Sequence, residues 1–159
     1  MRNRILLWAG VALTIVLSAC SRNTVYSHFE PTDGTAAFQT PQWHMDSIRH
    51  FDYTIADADA AYQVVLYVRH TETYPYQNMW LFVSDSLRTD TIEFYLADDR
   101  GQWLGDKHHG FIEMPVLFEE HHRFPAAGTY HLSVQHGMRD TLLRGISDIG
   151  VEIQRIGDW

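Results

Sequence analysis

Cysteine is almost missing from this chain: Cys20 is the single one among 159 residues. No disulfide can form within the molecule, so packing alone has to hold the fold. Positive charge is scarce as well, with 12 Lys and Arg against 20 Asp and Glu and a formal charge of −8. Such a balance gives no electrostatic footprint for nucleic acid or for an anionic membrane surface. Several chemical signatures are absent too. There is no Gly-x-Ser-x-Gly elbow, no phosphate-cradling glycine loop and no dinucleotide fingerprint. Long amphipathic helical patterns are also lacking, and no internal repeat is visible.

The N-terminus carries an address. Arg2 and Arg4 precede an apolar run from Ile5 to Leu17, interrupted only by Gly10 and Thr14, and Leu17-Ser18-Ala19-Cys20 follows. Thirteen helical residues span about 20 Å, short of the ~30 Å hydrocarbon core, so the run reads as a signal peptide rather than an anchor. Leu-Ser-Ala-Cys matches the bacterial lipobox, in which the cysteine sulfur is lipidated before cleavage. The expected organisation is a lipoprotein signal peptide over 1–19, a lipidated tether over 20–24 and one domain over 25–159. The covalent lipid on Cys20 ties the protein to a bilayer. At roughly 0.8 kcal/mol per buried methylene, several acyl chains hold far more firmly than one. With Cys20 acylated, no thiol nucleophile remains. Loss of Arg2 and Arg4 leaves 10 basic against 20 acidic side chains, and all ten histidines lie in the mature part. Surface charge should therefore change steeply between pH 7 and 5.

From Trp43 onward the period is two. Phe51, Tyr53 and Ile55 alternate with Asp52 and Thr54; Val64, Leu66 and Val68 alternate with Gln63, Val65, Tyr67 and Arg69. Met79 to Val83 is apolar at every position, which predicts a central strand covered on both faces. Ile92, Phe94 and Leu96 form another alternation, Tyr130 to Met138 the longest, and Val151 with Ile153 the last. Val25 to Phe29 is a short first strand, and Met114 to Phe118, interrupted by Pro115, suits a sheet edge. Ala56 to Ala61 could make one helical turn. Turn signals separate the runs, among them Asp98-Asp99-Arg100-Gly101, where Gly101 is placed for a positive φ. About eight strands without a long helix predict an all-β fold, an antiparallel β-sandwich of jelly-roll or immunoglobulin-like type.

Candidate sites are few. Glu119-Glu120-His121-His122 combines imidazole and carboxylate, which suits zinc. The helical His-Glu-x-x-His spacing is absent, however, and adjacent strand residues point to opposite faces, so Glu119, His121 and His122 are weak metal candidates beside a polar hairpin rim. Asp57-x-Asp59 and Asp98-Asp99 could bind calcium but lack the spaced oxygen ladder of a dedicated loop, and turn formation explains both equally well. Tyr74, Tyr76 and Trp103 could present flat rings to a sugar or a protein partner; the plainer reading is that they cap the ends of the sandwich. No catalytic set and no cofactor is expected.

Taken together, Tyr74-Pro-Tyr-Gln-Asn-Met-Trp-Leu-Phe82, Leu96-Ala-Asp-Asp-Arg-Gly-Gln-Trp-Leu-Gly105, Arg123-Phe-Pro125, Gln135-His-Gly-Met-Arg139 and Gly145-Ile-Ser-Asp-Ile-Gly150 resemble the gliding-motility lipoproteins of Bacteroidota known as GldH. With the lipobox, the match runs in order along nearly the whole chain. The resemblance implies an outer-membrane lipoprotein needed for gliding, linked to the machinery that supports type IX secretion, with no catalytic residues to carry over. It implies a non-catalytic structural or interaction subunit whose partners are other envelope proteins. Ser21-Arg22 is not the acidic run carried by surface-exported lipoproteins of this phylum, which favours the periplasmic face. The alternatives are a glycan-binding module using Tyr74, Tyr76 and Trp103, and, behind it, a metal-dependent hydrolase at Glu119 to His122.

Overall fold

A computed structural model describes residues 23–34, 40–86 and 88–157; the signal peptide and Cys20 lie outside them. Eleven strands occur among the described residues: β1 (Thr24–Pro31), β2 (Gln42–His44), β3 (Arg49–Ile55), β4 (Ala61–His70), β5 (Asn78–Ser84), β6 (Thr89–Tyr95), β7 (Asp106–Lys107), β8 (Ile112–His122), β9 (Gly128–His136), β10 (Leu142–Arg144) and β11 (Ile146–Ile156). Eight of these are long, matching the expected number, and the three additions have two or three residues each. All pairings are antiparallel. One sheet has the order β1-β11-β4-β8-β7 and the other β3-β9-β5-β6, with β10-β2 as a separate pair.

The alternation in sequence decides which faces meet. Phe51, Tyr53 and Ile55 of β3, Met79, Leu81 and Val83 of β5, and Leu132 and Val134 of β9 point inward from the four-stranded sheet. Tyr62, Val64, Leu66 and Val68 of β4 meet them from the five-stranded sheet, beside Ile149, Val151 and Ile153 of β11. Burying a Val, Leu, Ile or Phe side chain contributes about 1.5–3 kcal/mol, so this interdigitated layer is the main source of stability. The short β2-β10 pair places Trp43 opposite Leu143, both fully buried. Indole desolvation there is offset by the Trp43 Nε1–H donating to Ser47 O at 2.6 Å.

Pro115 lies inside β8, past the end of β7, on a stretch laddered on one side. That is where a strand tolerates a missing N–H; the strand around it is eleven residues long, not five. Residues 56–60 form bends rather than a helical turn, closed by the Tyr62 hydroxyl donating to Asp57 O at 2.6 Å. Gly101 has φ +77, as its turn requires.

Candidate functional site

Expectation and structure part company at β5. Met79, Leu81 and Val83 are buried, whereas Trp80 is 37% exposed and Phe82 38%. The strand is therefore not covered on both sides. Cross-strand register explains why: Trp80 lies opposite Glu93 and Phe82 opposite Thr91, and these polar β6 residues share the outer face. Tyr95 extends the same row, opposite Asn78, at 59% exposure. Three large rings thus line one solvent-facing surface, with hydrogen-bonding groups between them.

The surface is built, not incidental. Gly137 N–H donates to Trp80 O at 2.7 Å. A Cβ at Gly137 would come within 3.2 Å of the Phe82 ring and of Trp80 Cβ, so the bare backbone is what lets those side chains lie across it. Trp80 N–H donates to Met138 Sδ at 3.4 Å, and Asn78 Nδ2 donates to Glu93 Oε1 at 2.7 Å. Tyr76 stands at the end of this row, its hydroxyl donating to Asp140 Oδ2 at 2.8 Å. That hydrogen bond, with the carboxylate charge behind it, raises the phenol pKa above its ordinary value. Tyr76, Asn78, Trp80, Gly137, Met138 and Arg139 enclose a shallow groove of about 500 Å³.

The three rings singled out from sequence do not form one surface. Tyr74 is 3% exposed and cannot offer a face to a ligand. Its hydroxyl donates to Asn78 O at 2.8 Å, and its ring packs against His70 and Trp103. Gly145, at φ +84, passes so close that a Cβ there would lie 2.6 Å from Tyr74 N. Gly145 directly precedes Ile146, which pairs with His70 at the end of β4, so this contact pins the loop after β4 and turns Tyr74 inward. Trp103 is half-buried on the His70 ring, 4.7 Å between centroids. Only Tyr76 of the three reaches the aromatic face. Trp80, Phe82 and Tyr95 were the residues to find, and the polar alternation of Thr89, Thr91 and Glu93 was the signal that β5 has a wet side.

A second concavity, of about 390 Å³, opens between the sheets. Tyr53, Phe118, Phe124 and Tyr130 form its apolar walls, and Glu119 and His122 line it as well. Burial pushes the Tyr53 phenol up to about 12. Glu119 is engaged by Arg88, His122 stands edge-on to Phe124 at 4.4 Å, and His121 is exposed. Glu119 and His122 thus share this concavity, while His121 is not among its lining residues. Among the described residues, no three His, Cys, Asp or Glu side chains are grouped to hold a metal. Asp57 Oδ1 accepts from Asp59 N, and Asp98 Oδ1 from Arg100 N and Gln102 N, so both acidic pairs organise turns.

Comparison with known proteins bears on the whole chain. The GldH lipoprotein family matches residues 31–153. A gliding motility lipoprotein GldH homolog from Christiangramia forsetii is 26% identical, over 98% of both chains. The gliding motility lipoprotein GldH of Flavobacterium johnsoniae is 26% identical over 92% of this chain and 96% of its own. Among solved structures, dimeric latent PorU from Porphyromonas gingivalis overlaps 85% of this chain and 13% of its own, with a TM-score of 0.41 and 7% identity. That likeness is too distant to bear on function.

Proposed function

The chain belongs to the GldH lipoprotein family, and from that premise we propose that it is a non-catalytic docking subunit of the envelope machinery that drives gliding or type IX secretion. Lipid on Cys20 tethers it to the outer membrane on the periplasmic side, and the outer face of the four-stranded sheet receives a partner protein. The observation that carries the reading is the row Tyr76, Trp80, Phe82 and Tyr95, large rings left partly exposed on a surface whose backbone is shaped around them. Exposed aromatic clusters rimmed by polar groups are the usual anchors of protein interfaces, where a few such residues carry most of the binding energy. The family membership and the lipobox support the tether and the machinery. The same rings would also stack on a sugar, which keeps glycan binding as the rival reading.

The test is an affinity pull-down of the intact lipoprotein from crosslinked native cells, beside Cys20→Ala and a Trp80→Ala/Phe82→Ala double variant. Gliding or secretion subunits should be enriched by the wild-type chain and lost with either variant. Enrichment of polysaccharide alone would transfer the aromatic face to the glycan reading. Equal enrichment of the same subunits by the double variant would remove that face from the interface.

A further inference from the structure

On the same sheet, away from the aromatic row, β3 and β9 bring two histidines together. His50 lies opposite Ser133 and Asp52 opposite His131, so His50 and His131 are diagonal neighbours on the outer face. His50 Nδ1 and His131 Nε2 are 3.2 Å apart. Their ring centroids are 5.2 Å apart with planes inclined by 28°. That is close to the greatest separation two imidazoles can have at this N···N distance, so the two nitrogens face each other edge to edge. On its far side, His131 Nδ1 meets Asp52 Oδ1 at 2.7 Å. A carboxylate there fixes the tautomer: the proton sits on Nδ1, and the Nε2 lone pair is turned toward His50.

We propose that His50 and His131 form a two-histidine site for a borderline divalent transition-metal ion, zinc or copper(II). Two nitrogens each bound at about 2.0–2.1 Å in tetrahedral geometry stand about 3.3 Å from one another, which is the spacing already present. Asp52 supplies the outer-shell carboxylate that orients metal-binding histidines and raises their basicity. Imidazole suits both ions. Binding requires only that the His50 proton move from Nδ1 to Nε2, which faces away from His131; a neutral ring loses no net proton. Two protein ligands leave the remaining positions to water or to a donor from a second molecule. The site is separate from the Glu119 to His122 segment, where no three ligand side chains group among the described residues, and it involves neither the lipid tether nor the aromatic row.

The test titrates the full chain, purified in detergent, with Cu²⁺ followed by electron paramagnetic resonance and with Zn²⁺ followed by calorimetry. The wild type should take one tight equivalent of Cu²⁺ with nitrogen hyperfine structure. His50→Ala and His131→Ala should each lose that equivalent, while His121→Ala keeps it. Asp52→Asn should weaken it about tenfold or more. All of these side chains face solvent, so unchanged thermal midpoints without metal will show that the variants are folded. The proposal is overturned if both single-histidine variants bind with wild-type stoichiometry and affinity.

Discussion

Two histidines are sealed inside the sandwich, and acidification should act through them. His70 and His136 are both buried. Among the described residues, His70 Nδ1–H donates to Thr71 O at 3.1 Å with no partner at its Nε2, and His136 Nε2–H donates to Trp43 O at 3.1 Å with none at its Nδ1. The neutral rings are therefore half-satisfied, and a second proton would put a charge and an unmet N–H among Tyr74, Trp103 and Trp43. Desolvation pulls both pKa values below 6.5, against the opposing effect of the carbonyl each ring bonds, and for His136 also against the nearby Asp140 carboxylate. Below pH 6.5 the unfolded chain takes up protons that the native protein refuses, so stability rises with pH through this window and levels off above it. Each refused proton is worth up to about 1.36 kcal/mol per pH unit. Integrated from neutral pH to 5.5, the ceiling is about 1.4 kcal/mol per histidine and about 2.8 for both.

Urea unfolding followed by circular dichroism at pH 7.5, 6.5 and 5.5 measures this directly. His70→Asn keeps a donor near Nδ1 and His136→Gln one near Nε2, and neither replacement titrates. Each should remove its share of the pH dependence, and the double variant should remove both while the exposed histidines contribute equally to all four proteins. A double variant that loses as much stability between pH 7.5 and 5.5 as the wild type would refute the assignment. It would mean that the buried rings accept protons at no cost, contrary to their bare nitrogens.

At the alkaline end the sign reverses. Tyr53 and Tyr67 are both pushed up to about 12, chiefly by burial and, for Tyr67, by its bond to Glu152. Unfolded tyrosines ionise near pH 10 while these two stay protonated, so stability should fall as pH rises above 10; absorbance at 295 nm and urea midpoints at pH 9 to 11 follow it. Gly145→Ala forces a side chain into φ +84 and against the backbone of Tyr74; it should cost more than about 2 kcal/mol in urea unfolding and free the Tyr74 loop to proteolysis. Trp43→Ala empties a fully buried site under the β2-β10 pair and should cost about 3–5 kcal/mol; a loss below 1 kcal/mol would mean the end of the sandwich collapses to fill the void.

How much of this was legible depends on the range of the interaction that decides each feature. The long strands β3, β4, β6 and β9 follow from a period of two, which is local, whereas β1, β8 and β11 showed only part of their length and β5 showed an unbroken apolar run. β2, β7 and β10 are too short to carry any period. The faces of β5 could not be read from Met79 to Val83 alone, because an unbroken apolar run looks the same whether one side or both are covered. Its register against β6 settles the matter, and that register is a tertiary fact. Tyr74 and Tyr76 are neighbours in sequence with opposite fates, decided by the approach of Gly145 some seventy positions away. The His50–His131 contact joins residues 81 apart and has no motif at all.

The two outer faces of the sandwich solve the same problem differently, and the contrast argues for which one docks. On the five-stranded sheet the Phe29 ring is covered by the Arg69 guanidinium at 3.6 Å, and Arg69 is tied to Glu113 at 2.7 Å. A Cβ at Gly150 would collide with Phe29, so that ring lies flat on the backbone beneath its cation. Tyr67 on the same face donates to Glu152 at 3.0 Å, and Thr24 and Gln154 donate to the same carboxylate. Rings on this side are thus roofed or tied by groups of the protein's own. On the four-stranded sheet Gly137 again clears the backbone for an aromatic ring, but Trp80 and Phe82 keep more than a third of their surface in water. A fold that roofs Phe29 with an arginine can roof its aromatics. Leaving Trp80, Phe82 and Tyr95 uncovered, at a cost of some 25 cal/mol for each Å² of apolar surface left wet, fits a face whose cover arrives with a partner.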